Sequence, residues 1–341
     1  MNNIKLSHYP YTLELKHPFG ISDNTRTTTP AVLVEIKYEE FTGYGEASLP
    51  PYLLETQESV QFFLSQIDLS SLYDITDIDS ILSTVDNLAQ GNNAAKASFD
   101  IALHDLVGKI KKLPVYKMYN IPKRERFTSY TIGIDSTEML LIKLKEAENF
   151  KFIKAKLGTL DDKKIINTIR SETDKPIFAD INQGWSDREA ALDLTLELAE
   201  NNVLLIEQPF SKLNYTDTAW LTSRSPIPVI ADEAVKRLSD LDEACKAYSG
   251  VNIKLMKSTG ISEAYKMIIR ARELNLKVML GCMTETTCAI SAAAHLCSLA
   301  DWVDLDGNLL INNDLFDGVN AAKGTIVPND LPGLGIRKIS Q

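Results

Sequence analysis

From Thr128 onward, short apolar runs alternate with longer stretches whose apolar residues recur at helical spacing. The runs read TSYTIGI, FKFIKAKLG, PIFADIN, VLLIEQP, PVIADE, VNIKL, KVMLG and WVDLDG. Seven helix-like segments separate them, Asp187 to Glu200 and Ser262 to Leu274 among them. A short apolar run followed by an amphipathic stretch is the pattern of a buried parallel strand and its crossover helix. Eight such units in succession predict an α/β chain folded as a (β/α)-barrel, a modified TIM barrel. An open doubly wound sheet usually carries a Gly-rich turn after its first strand, and this chain has none.

The part before residue 123 is patterned differently. Ile4 to Leu15 and Ala31 to Tyr38 read as strands, and Gly43-Tyr44-Gly45 as a turn. Helical patterns follow at Glu58 to Ile67 and Asn93 to Lys112, the latter with Phe99, Ala102, Leu103, Leu106 and Ile110 on one face. Strands followed by helices predict a small α+β domain over residues 1–123. The barrel is expected over 124–311. The tail, 312–341, lacks the βα pattern and is expected to return to the first domain.

A buried parallel strand should be a nearly unbroken apolar run. The predicted barrel strands break that rule near their C-terminal ends. Strand two carries Lys154 and Lys156, strand three Asp180, strand four Glu207, strand five Asp232, strand six Lys254, and strand eight Asp304 and Asp306. From Lys156 to Lys254 the intervals are 24, 27, 25 and 22 residues, each about one strand plus one helix. These side chains should therefore meet at one mouth of the barrel, where barrel enzymes do their chemistry. Three carboxylates on adjacent strands repel unless a cation joins them. Asp180, Glu207 and Asp232 offer only oxygen, so Mg²⁺ is the expected metal, one per subunit. Each carboxylate could instead cap the next helix or pair with a lysine; three in register favour the metal. Lys154 and Lys156 share one face of their strand, and Lys254 enters from across the barrel. A lysine beside a metal and a second ammonium is expected to have a lowered pKa, which suits it as a base. Lys156 and Lys254 on opposite faces of one carbon would remove a proton and return it. Lys154 is expected to hold a substrate carboxylate.

Composition narrows the partners. Hydrophobic residues at 44% and charged residues at 24% fit a soluble globular chain. A net charge of −10 and a pI near 5.1 argue against nucleic acid. The short basic run Lys109 to Lys112, interrupted by Ile110, reads as a solvated helix end. Cys245, Cys282, Cys288 and Cys297 form no Cys-x-x-Cys pair, which excludes a recognisable zinc motif. The start MNNIKLSHYP has no signal-peptide pattern and no apolar run would span a bilayer. A cytoplasmic protein without a membrane partner is expected. The oligomeric state is left open, a homo-oligomer included.

The strings around these residues, KAK at Lys154 to Lys156, FADINQGW at Asp180, LIEQP at Glu207, IADE at Asp232 and NIKL at Lys254, resemble the enolase superfamily in its muconate-lactonizing subgroup. The resemblance covers almost the whole chain. It implies a capping domain, built from the N-terminal part and the tail, over the barrel mouth. It also implies a lysine base working with magnesium and an enolate-like intermediate. Cycloisomerases, o-succinylbenzoate synthases and N-acylamino acid racemases share these residues. The Asp304-Leu305-Asp306 string is similar to the Asp-x-Asp of dipeptide epimerases, Ala-Glu epimerases among them, where it holds the dipeptide ammonium. Two carboxylates on one strand face suit a cation, which muconate and succinylbenzoate lack. Thr131, Cys282 and Thr284 match segments lining the dipeptide site in such relatives. Cys282 as a nucleophile lacks a barrel-strand histidine to activate it. The expected function is inversion of the α-carbon of a dipeptide's second residue, the first residue being small. The loop Gly20 to Thr29 and the segment Ser48 to Leu53 should cover the substrate. Arg26 is the only basic residue of that loop, with Asp23 close by; it looks displaced from the family's glutamate-binding position. That, with Pro50, Pro51, Tyr52 and Leu53, tilts the expectation toward a neutral or hydrophobic second residue, with glutamate retained.

Overall fold

A computed structural model describes residues 4–21, 24–70 and 74–339. The chain opens with an antiparallel sheet of β1 (Ile4–Ile21), β2 (Asn24–Tyr38) and β3 (Phe41–Ser48), in that spatial order. Four helices follow: α1 (Gln57–Ser65), α2 (Ile78–Asp86), α3 (Asn93–Lys111) and the short α4 (Val115–Met118). The predicted loop from Gly20 to Thr29 is in fact the tip of a long β1–β2 hairpin, whose register shifts between Glu14 and Phe19. Ser22 and Asp23 lie outside the described residues.

Gly43 and Gly45 are not a turn. They lie within β3, where α3 presses on the sheet. A Cβ on Gly43 would sit 2.1 Å from the Ala102 carbonyl oxygen, and one on Gly45 1.9 Å from that of Ser98. The two glycines let a helix backbone touch a strand. The basic run at the end of α3 is also only partly solvated, because Lys109 Nζ reaches Asp105 Oδ2 at 2.6 Å and the Thr42 carbonyl at 2.7 Å.

After the two-residue β4 (Arg126–Phe127) comes the barrel. Its parallel strands are β5 (Ser129–Ile132), β6 (Phe152–Lys156), β7 (Ile177–Asp180), β8 (Val203–Glu207), β9 (Val229–Ala231), β10 (Gly250–Lys254), β11 (Lys277–Gly281) and β12 (Trp302–Asp304). They run in sequence order around the sheet. A bridge between Thr128 and Val303 brings the two ends nearly to closure. The crossovers are α5 (Thr137–Glu146), α6 (Asp162–Glu172), α7 (Arg188–Glu200), α8 (Tyr215–Thr222), α9 (Leu241–Ala244), α10 (Ile261–Glu273) and α11 (Thr287–Ala294). The tail adds β13 (Phe316–Asp317) paired with β15 (Arg337–Lys338), and β14 (Thr325–Ile326) paired with β4. It also touches the first sheet: Tyr11 donates to the Asn313 carbonyl at 2.7 Å, and Lys338 reaches Glu35 at 2.7 Å.

The two-residue period of the strands explains the site. Inward positions on successive strands are apolar low in the barrel, where Phe178, Leu205, Ile230 and Met279 pack together with Phe152 and Trp302 at their edge. Two residues on, the same faces carry Lys154, Asp180, Glu207, Asp232 and Asp304. An apolar floor thus supports a polar layer. Outward positions such as Ile153, Ala155, Ile177 and Ala179 pack beneath the helices.

Candidate active site

Register places the polar layer. Lys156 pairs with Asp180, and Asp180 with Glu207, along β6, β7 and β8. Lys254 pairs with Gly281, and Gly281 with Asp304, along β10, β11 and β12. β6 and β10 are four places apart in an eight-stranded order, so Lys156 and Lys254 enter from opposite sides. Above them the β1–β2 tip contributes Phe19, Ile21 and Arg26, and the segment after β3 contributes Pro50 and Tyr52. Together with Thr131, Lys154, Lys156, Asp232, Lys254, Cys282, Thr284, Asp304 and Asp306 they line one cavity. Asp180 and Glu207 are fully buried below it.

Ligand oxygens of Asp180, Glu207 and Asp232 lie within 4.8 Å of one another. Glu207 Oε2 stands 2.7 Å from Lys154 Nζ yet receives no well-directed hydrogen bond. Burial and the neighbouring Asp180 push the Glu207 carboxyl up to about 7. A buried all-oxygen trio with an unsatisfied atom fits a hard divalent cation.

Lys154 does not wait for substrate. Its ammonium is 2.7 Å from Glu207, 2.8 Å from Asp304 and 3.1 Å from Asp180. Lys156 lies 2.6 Å from Asp180, and Lys254 2.7 Å from Asp232. Against the carboxylates alone, Lys154 and Lys254 are both shifted upward. Burial opposes their charge, but Asp304 and Glu207 beside Lys154, and Asp232 beside Lys254, hold both well above the ordinary lysine value. The Lys154 ammonium pushes the Lys254 pKa down, but the carboxylates outweigh that repulsion.

The acidic pair divides its duties. Asp304 ends β12 and accepts from Ser129 Oγ at 2.6 Å and from Lys154. Asp306 lies beyond the strand, at the start of the turn Gly307–Leu310, rather than on one strand face with Asp304. It accepts the Thr131 N–H at 2.6 Å. Burial and Asp304 push its carboxyl up to about 7. Asp306 is therefore the carboxylate with the greater deficit of positive charge.

Arg26 is not displaced from the site. It lines the cavity, donates from Nε to Thr29 Oγ1 at 3.1 Å and from Nη2 to Thr284 Oγ1 at 3.2 Å, and stacks over Phe19 at 5.1 Å. Burial raises the Cys282 thiol pKa well above its ordinary value, and no histidine lines this cavity. His104 and His295 are buried elsewhere, against Asp100 and Tyr116.

Three participants escaped the sequence reading: Asn252, Lys257 and Glu233. Asn252 Nδ2 donates to Glu207 Oε1 at 2.7 Å, and Lys257 Nζ lies 2.5 Å from Asp232 Oδ1. Glu233 accepts from Asn182 at 3.3 Å. Alternation marks Asn252, two residues before Lys254 on β10, as inward-facing. Lys257 lies past the strand end, where alternation carries no information.

Residues 4–119 match the family model "Mandelate racemase / muconate lactonizing enzyme, N-terminal domain", and residues 140–338 match "Enolase C-terminal domain-like". An L-Ala-D/L-Glu epimerase of Bacteroides thetaiotaomicron is 51% identical over 98% of this chain and 88% of its own length. The substrate-liganded L-Ala-D/L-Glu epimerase of Bacillus subtilis superposes with a TM-score of 0.93 at 28% identity, covering 100% of both chains. The dipeptide epimerase of Enterococcus faecalis, complexed with Mg and L-Leu-L-Tyr, superposes with a TM-score of 0.90 at 29% identity, over 98% of this chain and 99% of its own.

Proposed function

The chain belongs to the mandelate racemase/muconate lactonizing enzyme family of the enolase superfamily, and from that premise we propose that it is a dipeptide epimerase acting on Ala-Glu. One observation carries the reading: lysines from opposite barrel strands share a single cavity with Asp232 and Asp306, and Asp180 and Glu207 cluster with Asp232 beneath it.

In this reading Asp180, Glu207 and Asp232 hold one Mg²⁺ per subunit. Bound Mg²⁺ supplies Lewis acidity toward the dipeptide's terminal carboxylate, which makes the neighbouring carbon more acidic. Lys156 and Lys254 face that carbon. One removes the α-proton and the other returns a proton from the opposite side, which inverts the second residue. The substrate ammonium sits against Asp306, with Asp304 behind it and anchored by Lys154. Thr131 and Cys282 close the walls, and Arg26, oriented by Thr284 and Thr29, meets the glutamate side chain. The orientation of Arg26 and the name of the 51% identical relative outweigh the hydrophobic alternative. The cap comprises residues 1–123 and 312–341, and the barrel 124–311; the contacts of the tail with Tyr11 and Glu35 support that division. The setting is cytoplasmic, which four free thiols suit. Among the described residues no helix is long and apolar enough to cross a membrane.

The test is solvent exchange. In deuterium oxide with Mg²⁺, L-Ala-L-Glu should gain deuterium at the glutamate α-carbon and become L-Ala-D-Glu. Absence of exchange in Ala-Glu and across a dipeptide library sinks the reading. Exchange restricted to hydrophobic second residues removes Ala-Glu as the substrate and the role of Arg26, and leaves the dipeptide epimerase.

A further inference from the structure

Each carboxylate of the trio has one oxygen turned into the cluster and one turned away. The inner oxygens meet the mouth lysines: Asp180 Oδ2 meets Lys156, Glu207 Oε2 meets Lys154, and Asp232 Oδ2 meets Lys254. The outer oxygens are held by other donors. Asp180 Oδ1 accepts the Asn182 backbone N–H at 3.1 Å. Glu207 Oε1 accepts from Asn252 at 2.7 Å, and Asp232 Oδ1 from Lys257 at 2.5 Å.

Lys257 is committed to this task. Its ammonium has three protons and three acceptors: Asp232 Oδ1 at 2.5 Å, the Asp232 carbonyl at 2.5 Å and the Asn252 carbonyl at 3.1 Å. It is 1% exposed and does not line the substrate cavity. Among the trio it touches only Asp232.

We propose that Lys257 and Asn252 are positioning residues that keep Asp232 and Glu207 from offering both oxygens to the metal, and so select Mg²⁺ over Ca²⁺. The inference rests on the reading of the trio as metal ligands. Mg²⁺ takes six ligands in a tight octahedron and is content with one oxygen per carboxylate. Ca²⁺ takes six to eight at longer distance and commonly draws both oxygens of a carboxylate. To bind Ca²⁺ in that way, Asp232 would have to release Lys257, leaving a buried ammonium without its partner. Glu207 would have to release Asn252, leaving a buried amide unpaired.

Titration of the purified protein with MgCl2 and with CaCl2, followed by calorimetry, tests this without substrate. Wild-type protein should bind Mg²⁺ more tightly than Ca²⁺. Lys257→Met removes a positive charge, so both cations should bind more tightly, but Ca²⁺ should gain more. The ratio Kd(Ca)/Kd(Mg) should fall at least about tenfold, the scale on which groups behind metal ligands act. Asn252→Ala should move the ratio the same way by a smaller factor, and it carries the test alone if Lys257→Met does not fold. An unchanged ratio in the folded variants overturns the inference, as does loss of Mg²⁺ binding from folded Lys257→Met. A wild-type chain that binds no Mg²⁺ removes the ligand reading, and this inference with it. That result is distinct from an unchanged ratio, which removes the inference alone.

Discussion

Buried acids occur in two regions of this molecule, and their partners differ. In the N-terminal unit and at its seam with the barrel, three carboxylates meet backbone N–H groups at or next to helix starts, while Asp105 also pairs with Lys109. Glu55 accepts from Ala94 and Ala95 at the start of α3. Asp100 accepts from Ile261 and Ser262 at the start of α10, and Glu46 from Thr286 just before α11. At the barrel mouth, Asp180, Glu207, Asp232 and Asp304 meet lysines. A backbone donor is fixed by its helix and also presents the positive end of the helix dipole. An ammonium rides on a flexible stem and can yield to a metal or swing to a substrate. Equal burial and equal charge therefore mean different things. Where the donor cannot leave, the acid fastens one element to another, at the seam the cap to the barrel; where it can, the acid is available for chemistry.

The strongest way to break the comparison is to remove the mobile donors. Lys156→Ala and Lys254→Ala should each lower epimerisation of Ala-Glu by about 10³-fold or more, within the range of acid–base catalysis. Both should keep the wild-type circular dichroism spectrum. Deuterium incorporation followed by NMR reads the effect. If either variant turns over within about tenfold of wild type, less than acid–base catalysis contributes, that lysine is not one of the two acid/base groups.

A smaller effect sharpens the division between the two strand-eight acids. Asp306→Asn should raise KM for Ala-Glu by about 10- to 100-fold, the worth of roughly 1.5–3 kcal/mol for a charged hydrogen bond, with a lesser change in kcat. The same substitution should leave the poor binding of N-acetyl-Ala-Glu unchanged, because that compound has no ammonium. Equal losses on both compounds would remove Asp306 from ammonium recognition.

The barrel and its polar mouth were legible because strand alternation and barrel topology are regular. Once eight strands are recognised, Asp180, Glu207 and Asp232 must fall on neighbouring inward positions. Three other features follow no period. Gly43 and Gly45 look like a turn until the close approach of α3 is seen. Lys257 lies in the chain after β10, and only its fold back toward Asp232 reveals it. Arg26 reaches the cavity because the β1–β2 hairpin is long and bulged, which loop composition does not encode. The lysine pKa values follow no period either. Their balance depends on which oxygen each ammonium touches, and that is a matter of distance rather than spacing.

The fixed donors should affect stability rather than chemistry. Asp100→Ala strips the cap from α10 and leaves His104 beside an empty site, while lying outside the cavity. Loss of such a cap is worth about 0.5–2 kcal/mol, so thermal denaturation of a 341-residue chain should begin about 1–3 °C earlier. Activity of the folded protein at low temperature should stay within about twofold of wild type, since surface-independent caps act through stability. A large loss of kcat at unchanged Tm would erase the distinction between the two regions.

Glu46 gives the effect with a definite sign against pH. Burial and the nearby Glu285 push its carboxyl up to about 8 in the folded chain, from an ordinary value of 4.5. Between those limits the folded chain holds a proton that the unfolded chain has released. Stability therefore falls as pH rises through this window and levels off above about 8. Glu46→Gln keeps an oxygen to accept the Thr286 N–H but has no proton to lose. The two proteins should melt together near the lower limit, and Glu46→Gln should melt progressively higher than wild type as the pH approaches the upper one. Glu285 titrates in both proteins, so its own contribution largely cancels in the difference. Melting curves at fixed ionic strength read it directly. A difference that stays constant with pH, or that favours wild type on the alkaline side, would mean that the Thr286 donors hold Glu46 ionised. Glu46 would then belong with the acids whose charge is fully met by fixed donors, and the seam between cap and barrel would be stronger in alkali than its burial implies.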